Sequence, residues 1–210
     1  NPEMAEFLAR LVAHIKVKQR WLKAPVYIAV GALTLVWLSN TPGGLLGKAD
    51  AIGYAVCHRI DGRTFHLGER PISMCARCTG MYLGALVGLA TQQYLGRRRF
   101  GTPPWSVLLV VGGLALSFMI DGINSYLTMF PGFPYLYEPN NVLRLFTGSG
   151  MGVAMSVALF PAFNLTVWKN PQPQAALPNL KSVATIIGLV ILVNGLVLTQ
   201  NPLLLYPLTL

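Results

Sequence analysis

The sequence predicts an all-α fold: a polytopic integral membrane bundle of five or more transmembrane helices with an N-terminal amphipathic helix. Three observations carry this. Apolar residues make up 53% of the 210-residue chain and charged residues only 11%, against about 25% charged in soluble domains. The charges are bunched, which leaves five uncharged runs at 24–47, 79–96, 100–120, 145–168 and 182–201, each of 18 or more residues. That is close to the ~20 residues needed to cross a bilayer core. Finally, Trp21, Trp37, Trp105 and Trp168 fall near the ends of these segments, as interfacial aromatics do.

The first 23 residues read as an amphipathic helix lying on the membrane surface. Asn1 can cap it, Pro2 suits its first turn, and Glu3 and Glu6 face the positive end of the helix dipole. Phe7, Leu8, Leu11, Val12 and Ile15 recur at helical spacing opposite Arg10, His14 and Lys18. Such a segment is not a short apolar leader core, so no cleavable signal peptide is expected. Residues 24–210 form the transmembrane domain. Its first helix should end near Ser39, before Pro42-Gly43-Gly44, and Pro161 should kink the fourth run. Leu203–Leu210 can begin a further crossing or fold back at the interface. Gly80, Gly84 and Gly88, and again Gly148 and Gly152, repeat every fourth residue, a spacing that lets helix backbones approach closely in lipid.

Basic residues set the orientation. Arg10, Lys16, Lys18, Arg20 and Lys23 precede the first crossing, Arg97, Arg98 and Arg99 follow the second, and Lys169 and Lys181 bracket the loop before the fifth. A cytoplasmic N-terminus puts all of these on the inside. The Cys/His loop at 40–78, Asp121 and Arg144 then share the extracytoplasmic side. A net charge of +9 would otherwise suggest nucleic acid. Placed at the ends of apolar runs, these charges instead anchor helices, so the expected partner is the lipid bilayer and no nucleic acid.

All three cysteines, Cys57, Cys75 and Cys78, lie in the extracytoplasmic loop or at the start of the second crossing, with His58 and His66 nearby. Three thiolates and one imidazole form the ligand set of a four-coordinate zinc site. Cys75 and Cys78 precede a helix whose free N–H groups, together with Arg77, favour thiolate over thiol. His58 beside Cys57 requires a sharp chain turn, and His66 is the geometric alternative. A Cys75–Cys78 disulfide with Cys57 idle is the competing reading outside the cytoplasm. The odd cysteine count and the adjacent histidine favour metal. Thr79 after the Cys-x-x-Cys argues against a c-type haem, and an all-cysteine iron–sulfur cluster is one thiolate short. Asp121 and Arg144, costly near lipid unless paired, are functional candidates and are expected to pair with each other.

The segment Cys57-His58 … Arg63-Thr64-Phe65 … Gly68 … Pro71 … Cys75-Ala76-Arg77-Cys78-Thr79-Gly80 resembles a family of multi-pass prokaryotic membrane proteins known only as a domain of unknown function. Its later elements are similar to Asp121-Gly122 and Arg144-Leu145-Phe146-Thr147-Gly148. The resemblance implies a location in the prokaryotic cell (inner) membrane, and it places His58 rather than His66 with the cysteines. It marks Arg63 and Arg77 alongside Asp121 and Arg144. The resulting expectation is an extracytoplasmic zinc site of Cys57, His58, Cys75 and Cys78 in a structural or accessory subunit, partnered by other membrane protein subunits. A thiol-disulfide oxidoreductase using Cys75 and Cys78 with a membrane quinone is the alternative. A metal hydrolase with His58 or Asp121 moving protons is weaker, because no positioned base accompanies it.

Overall fold

The computed structural model describes residues 23–203. The surface helix expected over 1–23 and the segment 204–210 lie outside the described residues, apart from Lys23 itself. The chain divides into two compact units, with the boundary after Ala51.

In the first unit, helix α1 is described over Lys23–Asn40 and is followed by α2 (Gly44–Val56), which runs on past the boundary. α1 ends because its last side chains turn back onto its own carbonyls. Asn40 Nδ2 donates to Val36 O at 2.8 Å and Thr41 Oγ1 to Trp37 O at 2.9 Å. Lys48 Nζ then reaches back to Leu38 O at 2.7 Å. Gly44 takes φ +78, a left-handed value that suits glycine. The break expected at Pro42-Gly43-Gly44 is present, and α1 with α2 is apolar enough to count as one broken span.

The second unit begins with the last turn of α2. A short 3-10 turn (Asp61–Arg63) leads into β1 (Thr64–Leu67) and β2 (Arg70–Cys75), then α3 (Ala76–Gly96), β3 (Arg99–Gly101), α4 (Trp105–Leu127), α5 (Asn141–Val167), β4 (Gln172–Ala175) and α6 (Leu180–Leu198). α5 continues through Pro161. Asn140 and Asn179 cap α5 and α6 by accepting from Leu143 N and Ser182 N.

α3 and α5 form the most extensive helix pair, with α4 and α6 flanking α5. Glycine makes that pair possible: a Cβ on Gly84 would strike the carbonyl oxygen of Ser149, and one on Gly152 that of Met81. The four-residue glycine spacing therefore marks backbone-to-backbone packing, as expected. A polar contact bridges the same seam, Gln92 Nε2 donating to Ser156 Oγ at 3.1 Å, and another joins α5 to α6, Ser149 Oγ donating to Asn194 Oδ1 at 3.0 Å.

Among the described residues three helices, α4, α5 and α6, are long and apolar enough to cross a membrane, and the bent pair α1–α2 would make four. The run at 79–96 does form a helix, but its buried face consists of Ala76, Thr79, Gly80, Gly84, Gly88, Thr91, Gln92 and Gly96. Those small and polar residues, set where α5 packs on the helix, lower its apolarity, and α3 is not among the candidate spans.

Two small sheets were not expected from an all-α reading. β1 and β2 form an antiparallel hairpin pairing Thr64 with Cys75 and His66 with Pro71, and β3 pairs parallel with β4. The hairpin turns Phe65 and Ile72 inward, where they pack with Ala76, Leu145 and Val197. The Cys/His loop has a core of its own, because two short strands suffice to aim two large side chains at the ends of α5 and α6. A second cluster, built on Val107, Val153, Leu177 and Ile186, holds the other half of the bundle.

Candidate metal centre and its arginine-lined cavity

Cys57 follows the last turn of α2, Cys75 ends β2, and Cys78 lies in the first turn of α3. The hairpin returns the chain so that these positions meet. Gly53 permits the close approach of α2 to β2, since a Cβ there would collide with Ser73 O. Just beyond Cys57, Arg59 adopts φ +46. This is left-handed backbone that a non-glycine residue holds only when its surroundings enforce it. The chain therefore turns directly after the Cys57-His58 pair.

The three sulfur atoms lie within 4.8 Å of one another. All three are free thiols, Cys57 buried and the other two half-buried. The backbone N–H of Cys75 donates to Cys57 Sγ at 3.3 Å. The Cys75 thiol is pulled down to about 5 by a hydrogen bond from the Cys78 side chain, which outweighs burial, with further help from the Cys78 N–H. Around a tetrahedral zinc with Zn–S near 2.3 Å, sulfurs sit ~3.8 Å apart. The trio therefore fits that geometry after small side-chain rotations, and its soft donors suit zinc. His58 is exposed and lies outside the trio, although it lines the same cavity. His66 is engaged elsewhere, its Nε2 2.9 Å from Asp61 Oδ1.

Asp121 is fully buried, but its ion pair is with Arg77 rather than the expected Arg144. From the first turn of α3 the Arg77 side chain reaches across to the last turns of α4, where Nη2 donates to Asp121 Oδ2, to Asp121 O at 3.3 Å and to Ser125 Oγ at 3.0 Å. Tyr137 donates its hydroxyl to Asp121 Oδ1 at 3.0 Å, and Thr147 Oγ1 lies 3.4 Å from Oδ2. One carboxylate thereby ties together α3, α4, α5 and the loop at 128–140. Asn124 fastens that loop to α4, accepting from Leu136 N at 2.7 Å and donating to Tyr137 O at 2.8 Å. Arg144 instead donates through Nη1 to Asn141 Oδ1 at 3.0 Å. Asn141 in turn reaches Gly62 O at 3.4 Å, towards the hairpin.

Ser125, Tyr137 and Thr147 were not singled out from the residues themselves. A signal was present: Asp121, Asn124 and Ser125 follow i, i+3, i+4 on an otherwise apolar helix, and Arg144 and Thr147 repeat the i, i+3 spacing.

Between the cysteines and these polar groups lies a cavity of about 360 Å³. The three cysteines, His58, Arg59, Arg63, Arg77 and Arg144 line it, with Tyr126 and Met129 at one side. Cations and sulfur dominate a chamber at one end of a largely apolar bundle.

A family profile described as "Predicted membrane protein (DUF2085)" matches residues 57–158, from Cys57 into α5. An uncharacterized protein of Methanothermobacter thermautotrophicus is 32% identical over 102 residues, which is 49% of this chain and 82% of that protein. An uncharacterized protein of Methanocaldococcus jannaschii is 25% identical over 119 residues, 57% of this chain and 70% of the relative. No solved structure matches.

Proposed function

The chain belongs to this family of predicted membrane proteins, and on that premise we propose that it is a membrane subunit organised around one zinc ion. Cys57, Cys75 and Cys78 supply three thiolates, and His58, one residue from Cys57, swings in as fourth ligand. The observation that carries this reading is the convergence of three sulfurs from α2, β2 and α3 within 4.8 Å. Four protein ligands close a zinc site to substrate, which assigns the metal a structural role. The zinc would fix the end of α2, the hairpin and the start of α3 as one platform. Such a platform suits an accessory or assembly component of a larger membrane complex. The platform faces outward, the N-terminus is cytoplasmic, and α3 crosses the membrane with the spans around it. Arg97 and Arg98, stacked on Trp168 at 5.4 and 4.7 Å, mark the cytoplasmic end.

The test is elemental analysis of the purified full chain together with thiol counting. One equivalent of zinc that is lost in Cys75→Ser, with residues 57–74 becoming protease-sensitive, supports the reading. A Cys75–Cys78 disulfide with no metal overturns it. That outcome would favour the second reading, a thiol-disulfide oxidoreductase that passes electrons to a membrane quinone. Its support is the contact between Cys75 and Cys78 beside an open cavity.

A further inference from the structure

We propose that the arginine-lined cavity beside the thiol trio is a binding site for a phosphate-class oxyanion, held by Arg63 and Arg144 with Arg77 behind them. The inference rests on side chains that the zinc reading does not use, and it stands with or without the metal.

Charge is the first argument. Arg63, Arg77 and Arg144 line one chamber, and the guanidinium of Arg144 interacts electrostatically with both of the others. The carboxylate beside them, Asp121, is already committed to Arg77. Three thiolates around a divalent zinc would add one net negative charge, which still leaves one guanidinium unmatched. Like charges held together where water is limited repel one another, and an anion between them would remove that cost.

Hydrogen bonding gives a second, independent argument. Arg144 is 7% exposed, and its Nε is buried with no partner, as is the Nε of Arg77. A buried guanidinium N–H without an acceptor is costly, and a bound acceptor would remove the cost. Nη1 of Arg144 is held by Asn141, and a small turn of the side chain at the cavity wall would bring the unpaired edge of the fork to an oxyanion. Planar guanidinium groups match phosphate oxygens two at a time.

Size and surroundings fit as well. A phosphate group fills only part of 360 Å³. Tyr126 and Met129, both largely exposed, form an apolar side to the same cavity. Along that side the ester substituent of a phospholipid headgroup can leave towards the bilayer. A free phosphate and an anionic lipid headgroup present the same oxygens to the arginines, and the experiment separates them.

The full chain is reconstituted in phosphatidylcholine nanodiscs and titrated with inorganic phosphate by calorimetry. In parallel, native mass spectrometry compares retention of phosphatidylglycerol and phosphatidylcholine. Zinc is measured in every sample, so failure of the metal reading is seen separately. Saturable phosphate binding assigns a soluble oxyanion, and selective retention of phosphatidylglycerol assigns a headgroup. In either case Arg144→Gln weakens binding by about tenfold or more, as expected for loss of a charge-assisted contact. Arg63→Gln, at a half-buried position in the 3-10 turn before the hairpin, does the same and carries the test if Arg144→Gln does not fold. Absence of both ligands from the wild-type chain, or undiminished binding in the foldable variants, overturns the proposal.

Discussion

Asp121 offers the sharpest test of how the bundle is held together. Its carboxylate is 0% exposed, whereas the Arg77 side chain retains 22% exposure. Asp121→Ala removes the acceptor for Arg77, Tyr137 and Thr147 together. Arg77 can recover part of its hydration, so the loss falls at the lower end of that for a broken buried pair, about 3 kcal/mol. Arg77→Ala strands a buried carboxylate on two hydroxyl donors and costs about the same. The double variant leaves neither charge unmatched. It should lose about 4 kcal/mol rather than 6, a coupling energy of about 2 kcal/mol. Equilibrium unfolding in mixed detergent–dodecyl sulfate micelles measures all four corners of the cycle. A matching cycle on Asp121 and Arg144, which share no ion pair, should give a clearly smaller coupling. If the Asp121–Arg144 coupling equals or exceeds the Asp121–Arg77 coupling, the assignment of the buried pair is wrong.

Further outcomes follow from the same geometry. Gly152→Leu forces α3 and α5 apart and should cost about 3 kcal/mol; Gly113→Ala, with nothing near its added methyl, should be neutral or stabilise by up to about 1 kcal/mol, both read by the same unfolding assay. In metal-free protein Cys75, held down to about 5, should be the first thiol alkylated by iodoacetamide at pH 6.5, with peptide mapping as the readout. Its folded value lies below the unfolded 9.0, so the thiolate stabilises the fold above pH 9 and that contribution is lost as pH falls towards about 5. An impermeant label applied to intact cells should reach a cysteine introduced at Glu138 and miss one at Arg98; the reverse pattern would invert the orientation.

The readings that succeeded from sequence were those in which local spacing and spatial proximity coincide. The four-residue glycine repeats fix which faces of α3 and α5 touch, because only glycine permits that approach. Cys75 and Cys78 are neighbours along the chain, and Cys57 could be added because the residues between Arg59 and Met74 are long enough to return. The partner of Asp121 was not legible in this way. Four arginines surround the cavity, and the one that reaches Asp121 lies 44 residues away on another helix. Its choice depends on how α3 and α4 are each placed against α5, which no periodicity encodes. The hairpin was hidden for a different reason: strands of four and six residues carry too few alternations to stand out beside long apolar runs. The low apolarity of α3 became intelligible only once its enclosing partners were known.

That low apolarity has a consequence for how the chain is made. α3 leaves the ribosome well before α5, yet α5 is the helix that covers its glycine face and receives Gln92. Until then the glycine face of α3 is uncovered and Gln92 has its own Gly88 carbonyl but not Ser156 as a partner. Synthesis order and packing order therefore oppose each other. The cysteines at the head of α3 spend the same interval without Arg144 of α5, which lines their cavity, beside them.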